Sequence, residues 1–335
     1  MKKILMITTG GTIGSSIERG VISARKGSCL ALSLYLERYG GAEIEAVSAM
    51  DILSEELTTG HWERLLTFIG GLDLNGYDGL IITHGSDTLS YTSAFLGLCL
   101  CGLEIPVVIT AADRVPDDPE SNAAENIRAA VLVIEGFRRG VFTVYKNPKD
   151  TFCSVYLATR VCEADRVSGS FSSFDGAPFA KISDGRLVEE DFSLSREEIE
   201  THTCPVSLPK APLIKGSILM VHPYPSEDHS SIVLKKNTKA VLYITYHSSS
   251  ASTQGKSSAL TLLKRCRKKD IPFFLCSFGS TSLIYKSSDT LIKNGALPLR
   301  HISKEAAYAK LILSLITGES DTFSFMNKEI FCEFI

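Results

Sequence analysis

Residues 2–20 read "KKILMITTGGTIGSSIERG", and the order of residue types in this stretch decides the fold. Ile4 to Ile7 is an apolar run of strand length. It breaks into Thr8 and Thr9, then Gly10 and Gly11, and a third threonine follows at once, Thr12. A strand ending in glycines and hydroxyls is how a βα unit presents a loop to a ligand, beyond the strand's carboxyl end. The same glycines are what a plain tight turn requires, because glycine takes positive φ without steric cost. The spacing is not the G-x-G-x-x-G of a dinucleotide site and no G-K-[ST] follows, so a nucleotide is a poor fit.

Outward from this stretch, strand-like and helix-like runs alternate. "LALSLYLERY" (30–39) is helical, "EIEAVSA" (43–49) a strand, and a helix surrounds Trp62 to Phe68. "DGLIITHG" (78–85) leads to a helix from Thr88 to Cys101, "IPVVIT" to a helix from Asn122 to Val133, and "GVFTVYK" closes the series. Short apolar strands separated by helices imply right-handed crossovers and a parallel sheet covered on both faces. Residues 153–182 depart from this pattern and predict a β-hairpin or an irregular arm. "THTCPVSLPKAPLIKG" (201–216), with three prolines, reads as a linker, and a second αβ series runs from "SILMVHPY" to a helix over 303–317. The expected fold is α/β: a larger, flavodoxin- or Rossmann-like domain over 1–200, the linker, and a smaller α/β domain over 217–335.

Composition narrows the function classes. The chain has 335 residues, 44% hydrophobic and 22% charged, with a formal net charge of −3. That describes a globular protein too long for one ordinary core and without the basic surplus that favours nucleic acid. No apolar run approaches the ~20 residues of a membrane span. The nine cysteines are scattered without zinc-ligand spacing, which fits free thiols in a reducing cytoplasm. A cytoplasmic protein, with neither nucleic acid nor membrane as partner, is the expectation.

A second loop stands beside the first. "THGSDTLSYT" (83–92) follows the strand Leu80 to Thr83 and adds a carboxylate, Asp87, at the start of a helix. Ser86, Asp87 and Thr88 can be helix caps and nothing more. The pair of loops is more specific: "TGGTI" (9–13) and "HGSDT" (84–88) resemble the bacterial-type L-asparaginase family. "LSEEL" (53–57), "ESNAAENIRAA" (120–130) and "GALPLRHISKEAAYAKL" (295–311) resemble further motifs of that family, in its order.

The resemblance implies a two-domain amidohydrolase in which a threonine hydroxyl attacks the side-chain amide of asparagine or a related amide, and ammonia leaves. The nucleophile falls on Thr12, the second catalytic hydroxyl on Ser86 and the neighbouring aspartate on Asp87. Ser54 and Glu55 fall on positions that hold the substrate's α-carboxylate and α-amino group. No metal or organic cofactor is implied, and a homodimer or homotetramer is expected. The serine-rich "YHSSSAST" (246–253) matches a loop that serves a neighbouring subunit's pocket in some relatives; a plain turn explains it equally well.

Two positions depart from the family pattern. The tyrosine of the mobile loop is replaced by Val21, and the lysine of an R-x-x-K motif falls on Glu163, three residues after Arg160. A hydroxyl needs a base to be nucleophilic at neutral pH, and losing one costs on the order of 10²-fold or more. Either Glu163 is itself that base, or Lys146, Lys149 or Lys181 enters from the hairpin region; both readings stand at this point. A relative that binds an amino acid or amide without turning it over is the alternative. Family relatives also include an amidotransferase subunit acting on glutamyl-tRNA with an extra amino-terminal domain. With the first motif at residue 9, no such domain is expected, and this substrate ranks last.

Overall fold

In the computed structural model, residues 1–18, 21–24, 30–209, 211–278 and 284–335 are described. The chain divides into two compact units, Met1–Pro212 and Leu213–Ile335.

Unit one is built on an eight-stranded sheet. Its strands are β1 (Lys3–Gly10), β2 (Glu43–Ile52), β3 (Gly79–Thr83), β4 (Pro106–Thr110), β5 (Gly140–Tyr145), β6 (Cys153–Leu157), β7 (Ala180–Ser183) and β8 (Arg186–Glu189). The spatial order is β8-β7-β6-β5-β4-β3-β1-β2. From β2 to β5 every pairing is parallel, whereas β6, β7 and β8 continue the sheet antiparallel. β3 and β4 are buried at every residue. A strand manages that only where both faces of the sheet are covered, which is why "LIIT" and "VVIT" show no alternation.

The chain reverses its winding at β1, which lies between β2 and β3. In a sheet of this order, ligands bind where loops diverge at such a reversal, outside the strand carboxyl ends. Thr8, Thr83 and Thr110 lie side by side there. Thr9 donates to the Thr83 carbonyl (2.8 Å) and Thr110 to that of Val144 (2.8 Å), so these hydroxyls lock the edge of the sheet.

Helices α1 (Leu30–Arg38), α2 (Thr59–Gly70), α3 (Leu89–Leu100) and α4 (Ala123–Gly136) accompany the sheet. Every residue of α3 except Tyr91 is buried. Trp62 of α2 stacks on Phe95 of α3, ring centroids 4.4 Å apart. The loop at the start of α3 is therefore mounted on a buried helix.

Unit two carries a four-stranded parallel sheet in the order β9 (Ser217–Val221), β10 (Thr238–Ile244), β11 (Phe273–Phe278), β12 (Leu297–Arg300). Tyr243, Leu262, Phe273 and Leu275 belong to its core. The motif "GALPLRHISKEAAYAKL" spans β12 and the start of α5 (Lys304–Thr317). Lys310 of that helix is fully buried and pairs at 2.6 Å with Glu333, which also accepts the N–H groups of Ile330 and Phe331. That cluster folds the apolar tail back onto the unit. Among the described residues, no helix is long and apolar enough to cross a membrane.

Candidate active site

Three loops meet at the carboxyl edge of β1, β2 and β3. Gly10 and Gly11 both take positive φ (98° and 75°), which the sequence supplies in the only residue that does so freely. A Cβ on Gly11 would stand 2.4 Å from the Cα of Gly85, and one on Gly85 would stand 2.5 Å from the Cβ and Oγ of Ser54. The Gly11 N–H donates to the Ile52 carbonyl at 2.8 Å. Gly11 thus lies directly against the Gly85 backbone and Gly85 against the Ser54 side chain, with no room for a methyl group at either glycine.

Each loop sets its side chains from this contact. Thr12 opens a single 3-10 turn, Thr12–Gly14, and is half-buried. The Ser15 hydroxyl donates to the Gly11 carbonyl at 2.8 Å and closes the turn. Ser54 and Glu55 start a second 3-10 turn, and Ser86 and Asp87 a third that runs directly into α3. The buried Ser54 hydroxyl donates to Asp87 Oδ2 at 2.9 Å, and the Thr88 hydroxyl to the Ser54 carbonyl at 2.9 Å. Glu55 is exposed. The side chain of Val21 lies outside the described residues, as do Arg19 and Gly20 before it.

His84 anchors the third loop from beneath. Its Nδ1 lies 2.9 Å from the Gly85 carbonyl, which only accepts, so that nitrogen carries the proton. Its Nε2 then accepts from the Thr92 hydroxyl (3.1 Å), which in turn accepts from the Trp62 indole (3.0 Å). A neutral imidazole satisfies this chain, and burial lowers the pKa in the same direction. His84 is occupied as a strut and faces no open space.

Next to this junction is a cavity of about 520 Å³, lined by Ser86, Asp87, Asp113, Tyr145, Glu163, Asp165 and Arg166 among others. Asp113 follows β4, Tyr145 ends β5, and Glu163 to Gly169 form the tip of an arm. Two asparagines of the "ESNAAEN" motif join the first of these walls. Asn122 exchanges hydrogen bonds with Asp113 (3.0 and 3.1 Å) and donates to the Lys146 carbonyl (2.8 Å). Asn126 donates to the Ala111 carbonyl at 2.9 Å and accepts from the Lys146 N–H at 2.8 Å.

The arm rests on a two-residue antiparallel pairing, Val161–Cys162 with Ser172–Ser173. Arg160, 2% exposed, clamps its base to Asp175 at 2.7 Å. At the tip, the N–H groups of Val167 and Ser168 converge on the Asp165 carboxylate and lower its pKa. Burial pushes the phenol of Tyr145 up to about 12, so it is a hydrogen-bond donor at neutral pH.

Ser86, Asp87 and Glu163 therefore come together on one cavity wall, and Ser54 touches them through Asp87. Thr12 stands on the abutting loop, outside the described lining, and Glu55 is likewise outside it. The lysines considered for the relay are elsewhere: Lys146 pairs with Glu125 at 2.7 Å and Lys181 with Glu190 at 3.0 Å, while Lys149 is not among the described lining residues. The cation on that lining is Arg166, a guanidinium that keeps its protons. Asp113, Tyr145, Asp165 and Arg166 were missed from sequence. Asp113 and Tyr145 were findable, since each sits at the carboxyl end of a parallel strand; Asp165 and Arg166 depend on how the arm folds back.

Residues 3–193 match the family described as "Asparaginase, N-terminal". A glutamyl-tRNA(Gln) amidotransferase subunit of Methanosphaera stadtmanae is 27% identical over 334 residues, covering 96% of this chain and 74% of that protein. Its counterpart in Pyrococcus furiosus is 27% identical over 320 residues, covering 92% and 71%. Among solved structures, the thermostable L-asparaginase from Thermococcus kodakarensis superposes with a TM-score of 0.77 at 21% identity, covering 99% of each chain. L-asparaginase I from Vibrio cholerae gives 0.76 at 19%, covering 100% of this chain and 99% of that one. The family match spans more than half of the chain and contains all three touching loops, and the chain belongs to the asparaginase family of amidohydrolases.

Proposed function

We propose that the protein hydrolyses the side-chain amide of asparagine or a related small amide, with the Thr12 hydroxyl as nucleophile. The observation that carries this reading is the packing of Gly11 on Gly85, which sets the residues following each glycine, Thr12 and Ser86, on abutting loops. Thr12 Oγ would bond to the amide carbon while its proton passes to a base; ammonia leaves, and water then cleaves the ester. Asp87 suits the substrate's ammonium group, as a carboxylate does. Ser54 contributes by fixing Asp87, because its single proton is already donated there.

Glu163 lies on the cavity wall; the family resemblance matches it to the relay lysine, and it is the proton acceptor in this proposal. The lining sets four carboxylates, Asp87, Asp113, Glu163 and Asp165, against one guanidinium, Arg166. Such a wall attracts an ammonium and opposes a second carboxylate. The curated relatives are named for a glutamyl-tRNA(Gln) amidotransferase, so glutamine belongs beside asparagine among the amides tried.

An ammonia-release screen over asparagine, glutamine and small amides, run beside Thr12→Ala, tests the proposal. Release that vanishes in the variant supports it; unchanged release removes Thr12 from the role. The loss of the lysine favours a second reading, a protein that binds an amino acid or amide without turnover. Saturable binding by calorimetry with no ammonia release selects that reading. A homodimer or homotetramer is proposed from the family resemblance, and light scattering reads it directly.

A further inference from the structure

The formal net charge of −3 divides unequally between the two compact units. Met1–Pro212 carries 19 Lys+Arg against 29 Asp+Glu, −10, whereas Leu213–Ile335 carries 16 against 9, +7. Within the second unit the surplus is concentrated. The four strands of its parallel sheet all start at one edge, and each segment that enters there is basic. Lys215 precedes β9, Lys235 and Lys236 precede β10, Lys268 and Lys269 precede β11, and Lys293 precedes β12. Lys239 is the second residue of β10, and Arg267 ends the helix Ala259–Arg267, which returns the chain to the same edge. All eight side chains are exposed.

Contacts knit these segments into one surface. A Cβ on Gly216, whose φ is 135°, would stand 2.4 Å from the Lys239 Cγ, so the lysine stem lies on bare main chain. Lys215, Lys236 and Lys239, with Gly216 and Asn237, line a recess of about 460 Å³. Lys269 donates to the Leu234 carbonyl at 3.3 Å, which sets the entry to β11 against the entry to β10. Arg267 donates to the Asn294 carbonyl at 3.0 Å, beside the entry to β12. Among the described ion pairs, Lys293 alone of the eight has an acidic partner, Asp289 at 2.7 Å. The acids in the segments at this end are Asp270, and Glu319 and Asp321 beyond α5; Asp321 is engaged by the Ser324 N–H and hydroxyl. Cations at a helix carboxyl end answer the helix dipole, which accounts for Arg267, Lys268 and Lys293. It does not account for Lys215, Lys235, Lys236 and Lys239, which stand where strands begin.

We propose that this edge of the second unit binds the phosphodiester backbone of a nucleic acid, without reading its sequence. Neighbouring strands lie ~4.8 Å apart, so the four entries span ~14 Å. A duplex carries one phosphate per ~1.7 Å of axis, about eight over that length, a number that matches the cations in scale. Composition selects this partner over others. Seven of the eight cations are lysines, point charges that suit phosphate without fixing an orientation, whereas a carboxylate surface is matched better by the guanidinium fork. Lysine is also depleted where proteins bury one another. Stable attachment to a lipid surface takes an apolar anchor as well, and the large exposed apolar side chains adjoining this edge are two single residues, Leu213 and Val233. The whole-chain charge points away from nucleic acid because it averages an acidic unit with a basic one. Parallel sheets bind small ligands at the carboxyl edge, and this is the amino edge, so amide cleavage does not depend on it.

The test uses the full chain and fluorescence anisotropy with an RNA duplex of about 20 base pairs and the DNA duplex of the same sequence. At about 50 mM KCl one or both should bind with a micromolar Kd, and a preference between them identifies the source of the phosphates. The logarithm of affinity should fall against that of salt with a slope of about −4 or steeper, ~0.9 for each phosphate neutralised. Lys236→Gln with Lys239→Gln should weaken binding at least ~10-fold and make the slope shallower by about 2. Lys256→Gln with Lys286→Gln removes equal charge from exposed lysines at the other edge, and should change affinity less than about 3-fold. No binding of either duplex at about 50 μM protein, a slope shallower than about −2, or equal losses in the two double variants would each overturn the proposal. So would poly-glutamate, or vesicles containing phosphatidylserine, bound in preference to both duplexes. The salt slope is read on the unsubstituted protein, so it decides even where a substitution disturbs folding.

Discussion

The Ser54 hydroxyl donates to Asp87 Oδ2 at 2.9 Å and thereby spends its only proton. That bond joins the loop after β2 to the loop that starts α3, in the company of Thr88, which donates to the Ser54 carbonyl. Replacing Ser54 by Ala removes the donor while leaving the fold of the turn. A hydrogen bond to an exposed carboxylate contributes ~1 kcal/mol, so the thermal midpoint should fall by only a few degrees. Binding of an amino-acid ligand should weaken more than the midpoint suggests, since Asp87 loses its fixed orientation; calorimetry beside a melting curve separates the two.

Gly11→Ala should be far more damaging. The methyl group meets the Gly85 main chain at 2.4 Å, and φ at position 11 is 75°. The left-handed conformation alone costs ~1–2 kcal/mol for a residue with a Cβ, and main-chain atoms cannot swing aside as a side-chain tip can. A loss exceeding ~2 kcal/mol in urea unfolding is expected. A melting temperature unchanged by this substitution would refute the contact between the first and third loops.

Glu163→Lys introduces the residue type that the family resemblance matches to this position. If amide hydrolysis is limited by the missing relay, kcat for asparagine should rise by on the order of 10²-fold, the usual worth of a positioned base. Glu163→Gln should do the reverse and abolish residual release. Identical kinetics in all three proteins would remove residue 163 from proton transfer.

Mild acid should loosen the first unit through His84. Burial lowers its pKa in the folded chain, so the unfolded chain binds the proton more readily, near pH 6.5. Stability from this group is fully present above that pH and is lost as pH falls through it, by at most ~1.4 kcal/mol per pH unit. Urea midpoints at pH 7.5 and 5.5 should differ for the wild type. His84→Asn, whose amide can still donate to the Gly85 carbonyl, should start lower and change less between those values.

In the second unit, Lys310→Met should cost ~3–5 kcal/mol, because it leaves the buried carboxylate of Glu333 uncompensated. Lys310→Met with Glu333→Leu should regain only part of this. The N–H groups of Ile330 and Phe331 lose their acceptor in the double variant. Denaturant unfolding of the three proteins gives the comparison.

The α/β class was legible because β3 and β4 are buried on both sides and are spelled as unbroken apolar runs, each ending in a threonine. The motif glycines were legible as well, but only as freedom of φ. That Gly11 lies on Gly85, and Gly85 on Ser54, follows from β1 lying between β2 and β3, which no local pattern encodes. The base was less legible still. "ATRVCEADR" offered Glu163, or a slipped register that would admit a lysine, and sequence could not weigh Lys146 without knowing that Glu125 of α4 takes it. Asp165 and Arg166 were invisible for the same reason: their position follows from the Arg160–Asp175 clamp across fifteen residues. The tail looked merely apolar, and the buried Lys310–Glu333 pair explains how it docks.

Gly11 pressed on the Gly85 main chain, and Gly85 on the Ser54 side chain, leave these three contact points little to rearrange when a guest arrives. Affinity here need not be diminished by the entropy of ordering these loops, and crystals grown empty should tolerate soaking without cracking on that account.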